Sequence, residues 1–163
     1  MAELTKLESK LGEVIGLAMA AKTTSTKVKR LARRETSLVQ VLDRMGQEAA
    51  ETERRGKDVA GGFDGKKSAI LQKARETKQE ATEMMRTYLG QDADGLDGFE
   101  FLTMAEAGEV GHWEVLGVLG EKAGRREVED LVQWATPIQE RHFQLVREGS
   151  LKLAADEDPN ETS

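Results

Sequence analysis

Apolar and small residues recur every three or four positions along this chain, and that spacing limits its fold more than any other feature. In the first segment the repeated positions are Leu4, Leu7, Leu11, Val14, Ala18, Ala21, Ser25, Val28 and Ala32. Such spacing puts side chains on one face of an α-helix, whereas a half-buried strand alternates apolar and polar residues. The sequence therefore predicts an all-α fold.

The composition is typical of long, solvated helices around one core. Of 163 residues, 33% are charged and 38% hydrophobic, only 4% are aromatic and two are proline, a profile that is unusual for a β-rich protein. A chain of this length is expected to bury a single core. We therefore predict one helical domain over residues 1–155, followed by an acidic tail at 156–163 that is too polar to bury surface and is predicted to be disordered.

Glycines and capping residues divide the domain into about five helices. The second is predicted to begin at Ser37, where Gln40 completes a capping box, and to end at Gly61. The third is predicted from about 67 to 89. The short connections between the helices predict an antiparallel bundle.

The last two helices have equally clear boundaries. Asp97 and Glu100 predict a capping box at the start of the fourth helix, which reaches about residue 122. Gly124 is predicted to separate it from a fifth helix over about 126–154.

Both histidines lie on apolar stripes of these last two helices. The stripe of the fourth helix is read as Leu102, Ala105, Glu109, His112, Leu116 and Leu119. That of the fifth helix is read as Val128, Leu131, Ala135, Ile138, His142, Leu145 and Gly149. Polar side chains on such stripes are expected to face other helices. Glu106 precedes Glu109 by three residues, and Gln139 precedes His142 by the same interval.

Inward glutamates beside a Glu-x-x-His pair are the way in which helical bundles build carboxylate-bridged metal sites. In the second helix, Glu48 and Glu51 are candidates for the opposing carboxylates. Helix rise places His112 about 9 Å along the axis from His142, which suits two bridged ions better than one. Iron or manganese fits this ligand set, with zinc as a frequent substitute.

A metal-free interpretation of the same residues is also open. The glutamates and histidines of such a bundle could form a buried polar network that fixes the register of the helices, in a structural or partner-binding protein. Under either interpretation a buried Glu109 needs a compensating partner. The sequence names no substrate and leaves open whether the protein is an enzyme.

Charge and cysteine content exclude several other classes. The net charge is −6 and no cysteine is present, so neither nucleic acid nor an anionic membrane is an expected partner, and thiolate metal sites are excluded. The N-terminus is acidic, and the longest apolar stretch, near residues 14–21, is too short to cross a bilayer. We predict a cytoplasmic protein.

The chain resembles the ferritin-like superfamily, above all small bacterial stress-associated proteins of the YciE/YciF type. The resemblance rests on Glu106, Glu109, His112, Glu140 and His142 and covers about the last third of the chain. It implies a ferritin-like bundle with a divalent metal site and a role in stress response. This chain differs from the wider family where the second histidine and one glutamate are expected, since those positions hold Arg54 and Gln139.

A homodimer is the expected assembly. The first helix carries apolar or small residues over four heptads, which is more than one neighbouring helix needs. We therefore predict association through the first or the third helix.

Overall fold

The structure, a computed structural model, describes residues 2–162. The helices are α1 (Lys6–Leu31), α2 (Thr36–Ala60), α3 (Lys67–Tyr88), α4 (Gly95–Ala123) and α5 (Arg126–Ala155). No strand occurs within the described residues. The prediction of an all-α helical bundle of about five helices is therefore confirmed. Residues 156–162 follow α5 without further helix and are exposed to solvent.

Four helices form a closed ring, and α3 lies outside it. Within the ring, α1 packs against α2 and α4, and α5 packs against the same two helices. α3 packs chiefly against α1 and makes a smaller contact with α2. The chain therefore passes from one pair of ring helices, α1 and α2, to the other pair, α4 and α5, through an outer helix.

Contacts at glycines give the relative directions of the helices. On α4, Gly98 faces Val28 of α1, while His112 contacts Lys10 near the other end of α1. The two helices are therefore antiparallel. By contrast, Gly12 and Gly16 of α1 face successive turns of α3, at residues 70–73 and 74–77, so these two helices run in the same direction. Glycine at both positions lets the α1 and α3 backbones approach closely.

The core consists of two apolar clusters with polar residues between them. One cluster includes Leu11, Trp113 and Ala135, and the other includes Phe99 and Val146. The segments of α4 and α5 between these clusters, around 106–109 and 139–142, are also buried but carry polar side chains. The fold thus places these buried polar residues of α4 and α5 in the middle of the bundle.

Two predicted capping boxes are wrong. α2 has Glu35 at its N-cap and no side-chain cap, whereas Ser37 lies inside the helix and accepts a hydrogen bond from Lys152. The N-cap of α4 is Asp94, three residues before the predicted cap, because Asp94 and Asp97 form the box, each accepting from the other's backbone N–H at 2.9 Å.

Replacing Asp94 with alanine is expected to lower the free energy of unfolding by about 1 kcal/mol, because the N–H groups at the start of α4 lose their acceptor. Ser37→Ala is the matched control, since its hydroxyl caps no helix. Urea denaturation of both variants measures the difference. Equal stability losses would contradict the assignment of the cap.

The apolar seam of α1 is covered within the molecule. α2, α3 and α4 all pack on this helix, and Leu11, Val14, Ala18 and Val28 are buried. The excess of apolar residues that motivated a dimer through α1 is therefore accounted for by three neighbouring helices. The homodimer through α1 or α3 stays a prediction.

Candidate metal centre

Two glutamates and a glutamine meet in the interior between α4 and α5. Glu106 and Glu109 are 1% and 5% exposed, and Gln139 is equally buried. The Nε2 group of Gln139 donates to Oε2 of Glu106 at 3.0 Å and to Oε2 of Glu109 at 2.6 Å. Within residues 2–162, neither glutamate forms an ion pair with a lysine or arginine. Two acidic groups are thus buried together with only an amide between them.

His142 lies beside these glutamates. Its Nδ1 atom is 3.8 Å from Oε2 of Glu106, and its Nε2 atom is 3.6 Å from Oε1 of Glu48 on α2. The side chain is 2% exposed, and Nε2 has no hydrogen-bond partner among the described residues. The imidazole therefore separates the buried glutamates from Glu48.

Glu48 differs from the buried glutamates because it already has cationic partners. Arg44, one turn before it on α2, donates to Oε1 at 2.9 Å, and Arg141 on α5 pairs with Oε2. The prediction from sequence did not include either arginine. The four-residue spacing of Arg44 and Glu48 was a usable signal, whereas the contact with Arg141 depends on how α2 and α5 pack.

Burial controls the protonation of the cluster. Removal from water raises the pKa of Glu106 to about 8, although the hydrogen bond from Gln139 lowers it. Burial, followed by the charge of Glu106, raises the pKa of Glu109 well above its ordinary value. For His142, burial lowers the pKa to about 4 against the attraction of Glu48. In the metal-free protein near pH 7 we therefore expect protonated glutamates and a neutral imidazole.

Two of the predicted ligands lie away from this cluster. His112 is 42% exposed at its side chain, with Nδ1 3.1 Å from Nζ of Lys10 and 3.6 Å from Oε2 of Glu13. Burial, and then the charge of Lys10, lowers its pKa. Glu51 is bound by Arg54 and Arg55, whose hydrogen bonds lower its pKa to about 2. The structure thus brings together Glu48, Glu106, Glu109 and His142, without Glu51 and with His112 at the edge.

The predicted stripes were displaced by one residue in places. Trp113, 1% exposed, is buried rather than its neighbour His112, and Glu106 is buried more fully than Ala105. On α5, Gln139 is buried, while Ile138 is only partly buried. A helix buries an arc rather than a line, and the neighbouring helices decide which of two adjacent residues lies inside.

As described, the cluster is not a preformed metal site. Over residues 2–162, no group of three or more histidine, cysteine, aspartate or glutamate side chains is arranged to hold a metal ion. The donors are nonetheless of the right chemical type, since carboxylate oxygen and imidazole nitrogen suit manganese, iron and zinc.

Comparison with known proteins assigns no family. No protein-family model matches the chain, and no curated protein or solved structure matches it. Among the helices that the structure describes, none is both long and apolar enough to span a membrane.

Proposed function

We propose that this protein is a ferritin-like bundle that binds one divalent metal ion through Glu106, Glu109 and His142. The observation that carries the proposal is the burial of two carboxyl groups side by side, next to an imidazole, with no lysine or arginine of residues 2–162 paired to either. Burying ionisable groups without a partner costs stability, so a bundle selected for stability alone gains nothing from this pair. A divalent cation would supply the missing positive charge.

The ligand set favours one ion rather than two. Glu106 faces Nδ1 of His142, and Glu109 is linked to Glu106 by the shared amide of Gln139. His112 contacts Lys10 and Glu13 instead, so the second imidazole of a dinuclear site is not beside the first. Iron or manganese, with zinc as a substitute, suits two carboxylates and one imidazole.

Gln139 occupies the position between the carboxylates and would have to move for an ion to bind. Its Nε2 group donates to both glutamates. Rotation of the same amide would present its carbonyl oxygen, which is a metal ligand of the type that carboxylate sites use. Rotation of Gln139 would therefore explain why suitable donors are present although they are not arranged around an ion.

Glu48 has a supporting role in this proposal. It lies 3.6 Å from Nε2 of His142, the nitrogen opposite the one that faces Glu106. A carboxylate that accepts from the outer N–H of a ligating histidine fixes the tautomer and orientation of the ring. Arg44 and Arg141 hold Glu48 in place. Glu48 would thus become a positioning residue once it moves from 3.6 Å to within hydrogen-bond distance of Nε2, while Glu51 has no part in the site.

The packing order supports the ferritin-like part of the proposal. Ferritin-like folds are four-helix bundles in which one long connection joins the two helical pairs. Here α1 and α2 pack together, α4 and α5 pack together, and α3 is part of the connection between the pairs. A role in stress response and a cytoplasmic location stay predictions.

A metal-free network is the competing function, and one contact favours it. Gln139 already satisfies an oxygen of each glutamate at 3.0 and 2.6 Å, which would fix the register of α4 against α5 without an ion. Under this alternative the protein is a structural or partner-binding bundle. The two functions predict opposite effects of neutralising Glu109.

We expect protein purified without a histidine tag to carry close to one equivalent of a divalent ion by elemental analysis. Glu109→Gln and His142→Ala should each lose most of this metal, because each removes a ligand. Glu48→Gln should weaken affinity by about 10–100-fold, as outer partners of ligating histidines do. Glu51→Gln is the matched control on the same helix and should retain full occupancy, since Glu51 pairs only with arginines.

Thermal unfolding with and without a chelator separates the two functions. A bound ion present at 100 times its dissociation constant stabilises the folded state by about 2.7 kcal/mol, so chelation should lower the melting temperature. No bound metal, no effect of added Mn²⁺, Fe²⁺ or Zn²⁺, and a more stable Glu109→Gln variant would together establish the metal-free network.

A further inference from the structure

A cavity of about 230 Å³ lies between α1, α3 and α4, and its lining is almost entirely apolar. Its floor on α1 extends from Leu17 to Thr24, about 10 Å at the rise of a helix. Met84 and Met104, which belong to different helices, also line it and are 59% and 49% exposed, so they lie at its opening. Flexible methionines at the mouth of a cavity can adapt to more than one occupant.

The cavity also reaches the buried glutamates. Glu106 and Glu109 are among the lining residues, and both are at least nine-tenths buried. Gln139 donates only to the Oε2 atom of each, so within residues 2–162 the Oε1 atoms receive no hydrogen bond. His112 also lines the cavity but its Nδ1 lies next to Lys10 and Glu13. The cavity thus combines an apolar lining with two buried carboxyl groups.

We propose that this cavity binds a linear primary alkylammonium compound, with its chain along α1 and its head group on Glu109 and Glu106. A cavity of 150 Å³ accepts benzene, so one of this size holds about nine carbon atoms. An extended chain fits its length better than a ring. The ammonium group brings three donors and one positive charge, so it can replace the carboxyl protons as the counter-charge of two groups that have no cationic side chain beside them within residues 2–162.

Other head groups fit less well. A fatty acid would place a third acidic group beside Glu106 and Glu109 and would bring no positive charge. An alcohol could donate one hydrogen bond but would likewise bring no positive charge. The head group, rather than the chain, therefore gives the cavity its selectivity.

This inference goes beyond the metal proposal and does not depend on it. An ammonium group and a divalent ion are alternative counter-charges for the same carboxylates, so they should compete. Binding of the amine is measured on chelated full-length protein, whereas metal content is measured without amine. Either proposal can then fail while the other stands.

The test uses n-octylamine, n-octanol and n-octanoate, which share a chain and differ in head group. Calorimetric titration at pH 7 should give octylamine at least ten-fold tighter binding than octanol, and octanoate the weakest binding. Ethylamine is the control for the head group without the chain and should bind at least ten-fold more weakly than octylamine. Methyl resonances of Met84 and Met104 should shift on binding, whereas those of Met45 and Met85, which do not line the cavity, should not.

Two variants separate the contributions of head group and chain. Glu109→Gln keeps the shape of the side chain and should reduce octylamine affinity to that of octanol while leaving octanol unchanged. Ala21→Leu fills the cavity and should abolish binding of both. The proposal would be overturned if octylamine, octanol and octanoate bound the unmodified protein with equal affinity. It would also be overturned if the methyl resonances of Met84 and Met104 did not shift on binding.

Discussion

Replacing Gly16 with alanine is expected to destabilise the protein by about 3 kcal/mol, because overpacking of a close helix contact costs up to this amount. A Cβ atom at this position would overlap the carbonyl oxygen of Ala74 and lie 2.7 Å from Cβ of Thr77. Backbone cannot rotate away as a side chain can, so α1 and α3 would have to separate. Denaturant unfolding measures the loss.

Gly111→Ala is the matched control for this substitution. Gly111 is also helical, but a Cβ atom there would meet nothing within 4 Å. Alanine is a better helix former than glycine, so this change should raise stability by about 0.5–1 kcal/mol. If Gly16→Ala were stabilising to the same extent, the close parallel contact of α1 with α3 would be incorrect.

The chelated protein is expected to lose about 2 kcal/mol of stability between pH 6.5 and 8, the linkage expected for one carboxyl group titrating over this range. The pKa of Glu106 is about 8 in the folded protein against an ordinary 4.5. Its contribution is therefore fully present below pH 4.5 and is lost as pH rises through 8. Glu109, whose pKa is also raised, acts in the same direction.

His142 has the opposite dependence on pH. Its folded pKa of about 4 lies below the ordinary 6.5, so its contribution is present above pH 6.5 and is lost as pH falls through 4. The two effects oppose each other between pH 4.5 and 6.5. Above pH 6.5 the contribution of His142 is constant, so the slope of the unfolding free energy against pH reports the buried glutamates alone.

Urea midpoints at several pH values test this dependence. Glu106→Gln should flatten the slope above pH 6.5, whereas Glu51→Gln should not, because the pKa of Glu51 is about 2. Metal ions bind the deprotonated ligands, so added Mn²⁺ should stabilise the protein more as pH rises. A flat profile for the chelated protein above pH 6.5 would show that the carboxyl groups are not buried in protonated form.

Much of the fold was predictable because the residues that end and begin its helices are recognisable from the local sequence. Gly124 ends α4 with a positive φ of 63°, and α5 begins two residues later, as expected. The caps were harder because both Asp94 and Asp97 precede the apolar residues of α4 at suitable spacing. Sequence alone could not choose between overlapping boxes.

The site was predictable in residue type but not in full geometry. Glu106, Glu109 and His142 were expected inside, and they are buried together. His112 was placed inside because it fits the same periodicity as Trp113, but the larger apolar side chain takes the buried position. The cavity could not be predicted, because it results from α3 packing outside the four-helix ring.

The central position of α1 has a consequence for synthesis of the chain. This helix leaves the ribosome before the three helices that pack on it, the last of which extends to Ala123. Until α4 has emerged, one face of α1 stays uncovered, and exposed apolar surface in nascent chains favours aggregation. The helix made before the other four therefore reaches its final environment only when α4, the fourth of the five to be made, has emerged.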